Sequence, residues 1–245
     1  MSTSSIEWTD KTWNPVTGCT KITSGCKHCY AEVMSRRLQG MGKSKYINGF
    51  KVATHITALS EPLSWVKPCM IFVCSMSDLF HKDVPFEFID KVFETIQSTP
   101  QHNYQILTKR AERMAEYFST HIIPQNAWIG VTVEIAAMKF RIDYIRNLNA
   151  PIKFISCEPL LEDLEELDLR GIDWIIVGGE SGMQARPIKE EWVLNIKRQA
   201  DVNHIPFFFK QWGTWGLDGV KRNKKENGKM LQGKIVQNMP FINKI

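Results

Sequence analysis

Three of the six cysteines in this chain lie close together, in a stretch that also contains Gly18 and Gly25. Cys19, Cys26 and Cys29 can face one point on such a short loop, and soft sulfur ligands select an iron-sulfur cluster, zinc or copper(I). A 4Fe-4S cluster bound by three cysteines keeps one iron open to another ligand, whereas structural zinc takes a closed set of four. We therefore predict a 4Fe-4S cluster with these three cysteines as its metal ligands.

Zinc is the alternative metal, with His28 or another residue as the fourth ligand. His28 lies between Cys26 and Cys29, so it would point away from a metal that both cysteines hold. We expect His28 either to be exposed or to contact a metal-binding side chain without binding the metal itself. The zinc-deaminase signature is absent, because no His-x-Glu precedes a Pro-Cys-x-x-Cys. The other cysteines, Cys69, Cys74 and Cys157, stand in apolar runs and are predicted to be buried, reduced thiols.

The composition sets broad limits on the class of protein. The chain has 245 residues, is 43% hydrophobic and carries a formal net charge of +5. This length suits either one barrel-like α/β domain or two small domains, and we favour one. The mild positive charge permits nucleic acid as a partner. No apolar stretch approaches the roughly 20 residues of a membrane span, so we expect a cytoplasmic protein without a membrane partner.

Apolar runs that end on polar residues recur along the chain, with helical patterns between them. The runs are residues 70–74, 104–107, 128–133, 152–157, 174–177 and 206–209, and the helical patterns are 30–38, 86–98, 111–118, 136–148 and 189–201. Strands that alternate with helices indicate βαβ units in a parallel sheet. With a strand near the N-terminus added, we predict an α/β fold, a partial (β/α) barrel of about six or seven parallel strands. A doubly wound open sheet is the alternative.

The segments outside this alternation are glycine-rich and basic. Residues 39–60 are predicted to be a mobile surface segment near the cysteines. The barrel domain is predicted to cover residues 1–215, and residues 216–245 to form a basic C-terminal tail or small cap. The alternatives for these last residues are a flexible cap and a small hairpin around Gly228 and Gly233. The basic cluster at 221–229 is either a solvated face or a phosphate contact.

The cysteine spacing resembles a known signature. Cys-x6-Cys-x2-Cys followed by the aromatic Tyr30 resembles a variant of the radical S-adenosylmethionine motif, in which three residues usually separate the first two cysteines. The run from Trp13-Asn14-Pro15 to Tyr30 is similar to the phage-type three-cysteine-motif family. Further segments that carry the resemblance are residues 75–80, 107–110, 130–134, 156–160 and 177–182. The resemblance implies a partial barrel, a 4Fe-4S cluster, S-adenosylmethionine as cofactor and an electron donor as partner.

The resemblance also assigns roles to residues at the strand ends, which meet at one rim of such folds. Tyr30 matches the aromatic residue near the adenine of the cofactor. The other cofactor-binding candidates are Ser75, Ser77, Asp78, Glu134, Gly178, Gly179 and Glu180. The substrate-binding candidates are Thr108, Lys109, Glu158, Arg186, Lys210 and Gln211. For Tyr30 the alternative is a core tyrosine on a helix face, and for the strand-end residues the alternatives are tight turns and ion pairs at the rim.

Two functions of different classes follow. The first is a radical enzyme in which the reduced cluster donates an electron to S-adenosylmethionine, and the 5′-deoxyadenosyl radical abstracts hydrogen from a substrate. We interpret that substrate as a nucleobase, a nucleotide or a nucleic acid, while the reaction and the oligomeric state stay open. The alternative is a non-catalytic protein that holds zinc or a cluster and binds nucleic acid. The metal distinguishes the two.

Overall fold

The computed structural model describes residue 4 and residues 6–241. Its helices and strands alternate as the apolar runs predict. In chain order they are β1 (Lys11–Trp13), β2 (Val16–Thr17), α1 (Tyr30–Gly40), β3 (Ala53–Thr54), β4 (Met70–Val73), α2 (Phe86–Gln97), β5 (Asn103–Thr108), α3 (Ala111–Phe118), β6 (Ala127–Thr132), α4 (Arg141–Arg146), β7 (Lys153–Cys157), β8 (Trp174–Gly178), α5 (Glu190–Val202), β9 (Phe207–Gln211), α6 (Lys224–Asn227), β10 (Met230–Leu231) and β11 (Lys234–Ile235).

Seven strands form one sheet in the order β1-β4-β5-β6-β7-β8-β9. The pairs β1/β4, β4/β5, β7/β8 and β8/β9 are parallel. From β4 onwards each strand lies beside the next one in the chain, whereas a doubly wound sheet reverses its strand order at a switch point. The predicted α/β fold class, a partial (β/α) barrel with seven parallel strands, is therefore confirmed, and the doubly wound alternative is wrong.

The residue pattern explains why these segments form strands and helices. Every residue of β6 and β8 is buried, as expected of continuous apolar runs covered on both faces. Helix α2 buries one stripe, formed by Phe88, Ile89, Val92, Phe93 and Ile96. The helix predicted at 136–148 is shorter than expected, because a 3-10 turn at Ala136–Met138 precedes α4. No helix among the described residues is both long and apolar enough to cross a membrane.

The chain divides into two compact units. The first runs to Gly130 and includes Leu148–Pro151. Within it, Trp13 is fully buried and its indole N–H donates to the carbonyl of Ala58 at 2.7 Å. The ring of Tyr117 stacks on Phe93 with 5.6 Å between centroids. This unit thus has an apolar core of its own.

The second unit contains Val131–Asn147 and the residues from Ile152 onwards. Trp174 is fully buried there, with its ring 5.6 Å from that of Phe154. Its indole N–H donates to the carbonyl of Asn238 at 2.9 Å. These contacts lie at the beginnings of β7 and β8.

Part of the segment 39–60 is packed, so the prediction of a mobile surface loop is wrong for that part. β3 pairs with β2 in antiparallel orientation. Tyr46 forms a small core with Ala31 and Met76, against which Cys29 and Phe50 also pack. The sequence pattern missed this packing because the apolar residues are scattered among glycines and lysines.

The C-terminal residues are also paired. β10 and β11 form the predicted hairpin. The N–H of Phe209 donates to the carbonyl of Val236 at 2.7 Å, and the N–H of Asn238 donates to that of Phe207 at 3.0 Å. These residues therefore cover the outer edge of β9. Without them, the unpaired backbone groups of β9 would be open to association with another chain. The boundary predicted at residue 215 stays a prediction.

Candidate functional site

The three clustered cysteines lie on the loop between β2 and α1. Cys29 is the N-cap of α1, so the loop leads directly into a helix N-terminus as predicted. All six cysteines are free of disulfide bonds, and Cys19, Cys26 and Cys29 are partly exposed. Cys74 and Cys157 are buried as predicted, whereas Cys69 is partly exposed, because it precedes β4 outside the buried part of that run.

The thiols of the loop fit the ligand set of an iron-sulfur cluster in chemistry and number. Burial raises the pKa of Cys26, but backbone N–H groups of Ile22 and Thr23 and the charge of Lys109 lower it below its usual value overall. Burial and Asp78 raise the pKa of Cys19, against the opposing effect of Arg110. The fit is one of residue type and number only, because within the described residues no three His, Cys, Asp or Glu side chains form a group that could hold one metal ion.

Asp78, which follows β4, connects this strand to the end of β5. Its Oδ1 accepts hydrogen bonds from the hydroxyl of Thr108 at 2.7 Å and from the N–H of Phe80 at 3.0 Å. Its Oδ2 accepts from the N–H of Lys109 at 3.1 Å and from Nη1 of Arg110 at 2.9 Å. The structure thus brings three predicted site residues together, and internal donors occupy both carboxylate oxygens of Asp78.

Arg110 extends this network to the cysteine loop. Its Nη1 also donates to Sγ of Cys19 at 3.5 Å. Its Nη2 donates to the carbonyl of Thr20 at 3.0 Å and to the Thr20 hydroxyl at 3.1 Å. The same hydroxyl lies 2.8 Å from Nε2 of His81, whose Nδ1 accepts from the N–H of Asp83. The ends of β4 and β5 therefore both hold the start of the loop.

A second group of predicted residues meets the other end of the loop. The hydroxyl of Tyr30 donates to the carbonyl of Ser75. The Ser75 hydroxyl and the N–H of Met76 both donate to Oδ1 of Asn14, at 3.2 and 3.1 Å. The Ser77 hydroxyl donates to the carbonyl of Val16 at 2.7 Å. Tyr30, Ser75 and Ser77 are thus brought together, and Tyr30 is 56% exposed.

A cavity of about 600 Å³ opens beside Cys19 in the first unit. Two basic residues, Arg36 and Lys51, and one acidic residue, Asp83, line it together with Gln39 and Phe50. Arg36 is paired with Glu32 at 2.7 Å. The basic segment that was predicted near the cysteines therefore contributes to the wall of this cavity.

In the second unit, two carboxylates that follow strands are paired with arginines. Oε2 of Glu134 accepts from Nη1 of Arg141 at 2.9 Å, and both side chains are almost fully buried. Glu180 holds Arg186 through two bonds, Nε to Oε2 at 2.8 Å and Nη2 to Oε1 at 2.6 Å. Hydrogen bonding to Glu180 raises the pKa of Arg186, and the charge of Glu134 contributes in the same direction. Glu180 and Arg186 are therefore in direct contact, and the charge of Glu134 acts on the same arginine.

Another pair lies over the end of β8. Nζ of Lys210 is 3.1 Å from Oε1 of Glu158. A Cβ on Gly178 would stand 2.5 Å from the same carboxylate oxygen, and a Cβ on Gly179 would stand 1.9 Å from the carbonyl of Trp212. The side-chain amide of Gln211 donates to the carbonyl of Gly179 at 3.0 Å. These close contacts within the protein are sufficient to require glycine at both positions.

Gly179→Ala should destabilise the protein by about 1–3 kcal/mol or more, because the added methyl group meets backbone that cannot move aside cheaply. Equilibrium unfolding in urea measures the effect. Gly40→Ala is the matched control, since a Cβ there meets nothing within 4 Å, and it should cost no stability. Equal midpoints for the two variants would contradict the packing explanation.

The sequence patterns missed four residues of these networks, namely Asn14, His81, Arg110 and Arg141. Asn14 and Arg110 carried a signal, because they belong to the segments on which the family resemblance depends. Arg141 and His81 carried none, since neither residue type nor spacing reveals a partner that folding brings close.

This chain is similar to known proteins in its fold and to one protein family in its sequence. No curated protein matches it. A solved structure of spore photoproduct lyase complexed with dinucleoside spore photoproduct is similar, with a TM-score of 0.50, 10% identity, and coverage of 82% of this chain and 63% of that one. A double mutant of the lyase with bound AdoMet and dinucleoside spore photoproduct has a TM-score of 0.48 at 10% identity, with coverage of 82% and 64%.

This chain therefore spans less than two thirds of the lyase chains, and at such identity the first likeness concerns the fold alone. The phage-type three-cysteine-motif family is not among these matches, so the resemblance to it stays a prediction. Residues 3–240 match the family described as "Protein of unknown function (DUF5131)". Because that match covers almost the whole sequence, the chain belongs to the DUF5131 family.

Proposed function

We propose that this protein is a radical S-adenosylmethionine enzyme that binds a 4Fe-4S cluster through Cys19, Cys26 and Cys29. The observation that carries the proposal is the set of three disulfide-free, partly exposed thiols on one loop, which Arg110 attaches to the ends of β4 and β5. Three cysteine ligands leave one iron for the cofactor. The similarity in fold to spore photoproduct lyase supports the proposal.

When bound, such a cluster supplies the electron that splits S-adenosylmethionine into methionine and a 5′-deoxyadenosyl radical, which takes a hydrogen atom from the substrate. In the first unit, the exposed ring of Tyr30 and the polar groups of Ser75 and Ser77 are proposed to bind the cofactor. Asp78 and Thr108 have internal partners, so their proposed contribution is to hold the loop. Lys109, whose charge acts on Cys26, is proposed to face substrate.

In the second unit, the roles given to the strand-end residues are likewise proposals. Glu134, Glu180 and the turn at Gly178 and Gly179 are assigned to the cofactor, and Glu158, Arg186, Lys210 and Gln211 to the substrate. The Glu180–Arg186 and Glu158–Lys210 pairs are partly exposed. Each pair can therefore exchange an internal partner for a charged or hydroxyl group of a ligand.

The substrate class that we propose is a nucleobase, nucleotide or nucleic acid. The net charge of +5 favours an anionic partner, and Arg36 and Lys51 line the cavity beside Cys19. The lyase that this chain resembles in fold was solved with a dinucleoside bound.

The test is anaerobic reconstitution with iron and sulfide. We expect about four irons and four sulfides per chain, and release of 5′-deoxyadenosine from S-adenosylmethionine when dithionite is added as the electron donor. Single-stranded oligonucleotides should accelerate that release if nucleic acid is the substrate. Stoichiometric zinc without charge-transfer absorption would contradict the proposal and favour the non-catalytic nucleic-acid-binding alternative.

A further inference from the structure

The start of the cysteine loop is held by one side chain from a distant part of the chain. Nη1 of Arg110 donates to both the Asp78 carboxylate and the Cys19 sulfur, and Nη2 donates to both oxygens of Thr20. The side chains of Arg110 and Asp78 are only 12% and 8% exposed. Solvent therefore screens little of the charge that Arg110 presents to the sulfur.

We infer that Arg110 is a positioning residue for the first ligand of the proposed iron site. It orders the Cys19–Thr20 end of the loop and donates a hydrogen bond to the ligand sulfur. This inference rests on the proposed function, and it goes further by naming a residue outside the cysteine motif on which the site depends.

The geometry explains why arginine stands at this position. Its planar fork of N–H groups can serve a carboxylate, a sulfur and a carbonyl at once, which the single ammonium group of lysine cannot do in the same directions. A cysteine that binds iron is a thiolate, and a charged donor bonds a charged acceptor more strongly than it bonds a thiol. Hydrogen bonds to ligand sulfurs also stabilise the more negative, reduced form of a cluster and so raise its reduction potential.

The first measurement uses the full-length protein without metal. In Arg110→Gln, backbone hydrogen exchange in residues 18–29 should become roughly tenfold faster, because the loop loses its charged hydrogen bonds. Arg113→Gln is the matched control. Arg113 lies in the first turn of α3, which Arg110 precedes. It donates to the carbonyls of His81 and Val84 at 2.9 and 2.8 Å, so this variant loses an equal charge without losing a bond to sulfur. Exchange in the loop should change less in the control.

The second measurement uses the reconstituted protein. Transfer of iron to a chelator should be about 10–100-fold faster in Arg110→Gln, as for other contacts that orient a metal ligand. The reduction potential, followed by electron paramagnetic resonance during titration, should become more negative. Arg110→Lys keeps the charge but not the fork, so it should recover only part of both effects, while Arg113→Gln should match the wild type.

The outcomes separate the two ideas. Loop exchange that is unchanged in Arg110→Gln overturns the inference whether or not iron binds. A wild-type protein that takes up no cluster overturns the proposed function. If loop exchange is nevertheless faster in Arg110→Gln, Arg110 only stabilises the fold, and its assignment to a ligand sulfur is overturned as well. A cluster with unchanged potential and chelation rate in Arg110→Gln also overturns the inference while leaving the proposed function intact.

Discussion

Replacing Cys19, Cys26 or Cys29 by alanine should strip the reconstituted protein of iron by more than about tenfold. Loss of a residue that only orients a metal ligand already lowers metal affinity about 10–100-fold. Loss of a cysteine removes one of the three thiolates that hold a cluster with four iron corners, so its effect should be larger. Iron and sulfide per chain, visible charge-transfer absorption and release of 5′-deoxyadenosine measure the result. All three quantities should fall together in each variant.

Cys69→Ser provides the matched control for these variants. Cys69 is also partly exposed, but it precedes β4, and its sulfur lies 3.4 Å from Nδ1 of His102. Iron content and activity should stay at the wild-type level. Cys74 and Cys157 should likewise tolerate serine or alanine without loss of iron. Burial raises the pKa of Cys74 to about 12 and also raises that of Cys157, so neither is a ready thiolate. Retention of a full cluster in Cys29→Ala would show that a different set of residues binds the metal.

Glu134→Ala should destabilise the protein by about 3–5 kcal/mol, because it leaves a buried charge without its partner. Glu134 is fully buried and the side chain of Arg141 is 2% exposed. The same guanidinium donates to the carbonyl of Thr132 at 2.7 Å, which fixes it at the end of β6. Equilibrium unfolding in urea, with the slope compared between variants, measures the change.

The double variant Glu134→Leu with Arg141→Met tests the cause of this loss. Apolar residues that replace both members of a buried ion pair are often neutral for stability, so most of the lost stability should return. The binding of S-adenosylmethionine then separates the two roles of Glu134. Unchanged cofactor affinity in a stable double variant would limit Glu134 to support of the fold, and weakened affinity would support the cofactor contact that the family resemblance implies. An unchanged unfolding midpoint in Glu134→Ala would contradict the importance of the pair.

The elements of the sheet could be predicted from the sequence because their signals are local. A strand covered on both faces must be an apolar run, so the runs that form β6 and β8 were recognisable without any knowledge of their neighbours. The cysteine loop was equally visible, since its ligands lie within one short segment ahead of α1. Seven strands alternating with helices then left few arrangements, and a partial barrel is one of them.

Only the tertiary structure showed which side chains meet. Asp78 was predicted to bind the cofactor, yet its carboxylate accepts four hydrogen bonds from residues at the ends of β4 and β5. Gly179 was predicted to admit a ligand, yet the carbonyl of Trp212 occupies the space that a Cβ would need. A residue's type is written in the sequence, but the partner of a charge and the neighbour of a glycine depend on how distant strand ends are placed. That placement results from packing of the whole core, so no local pattern reveals it.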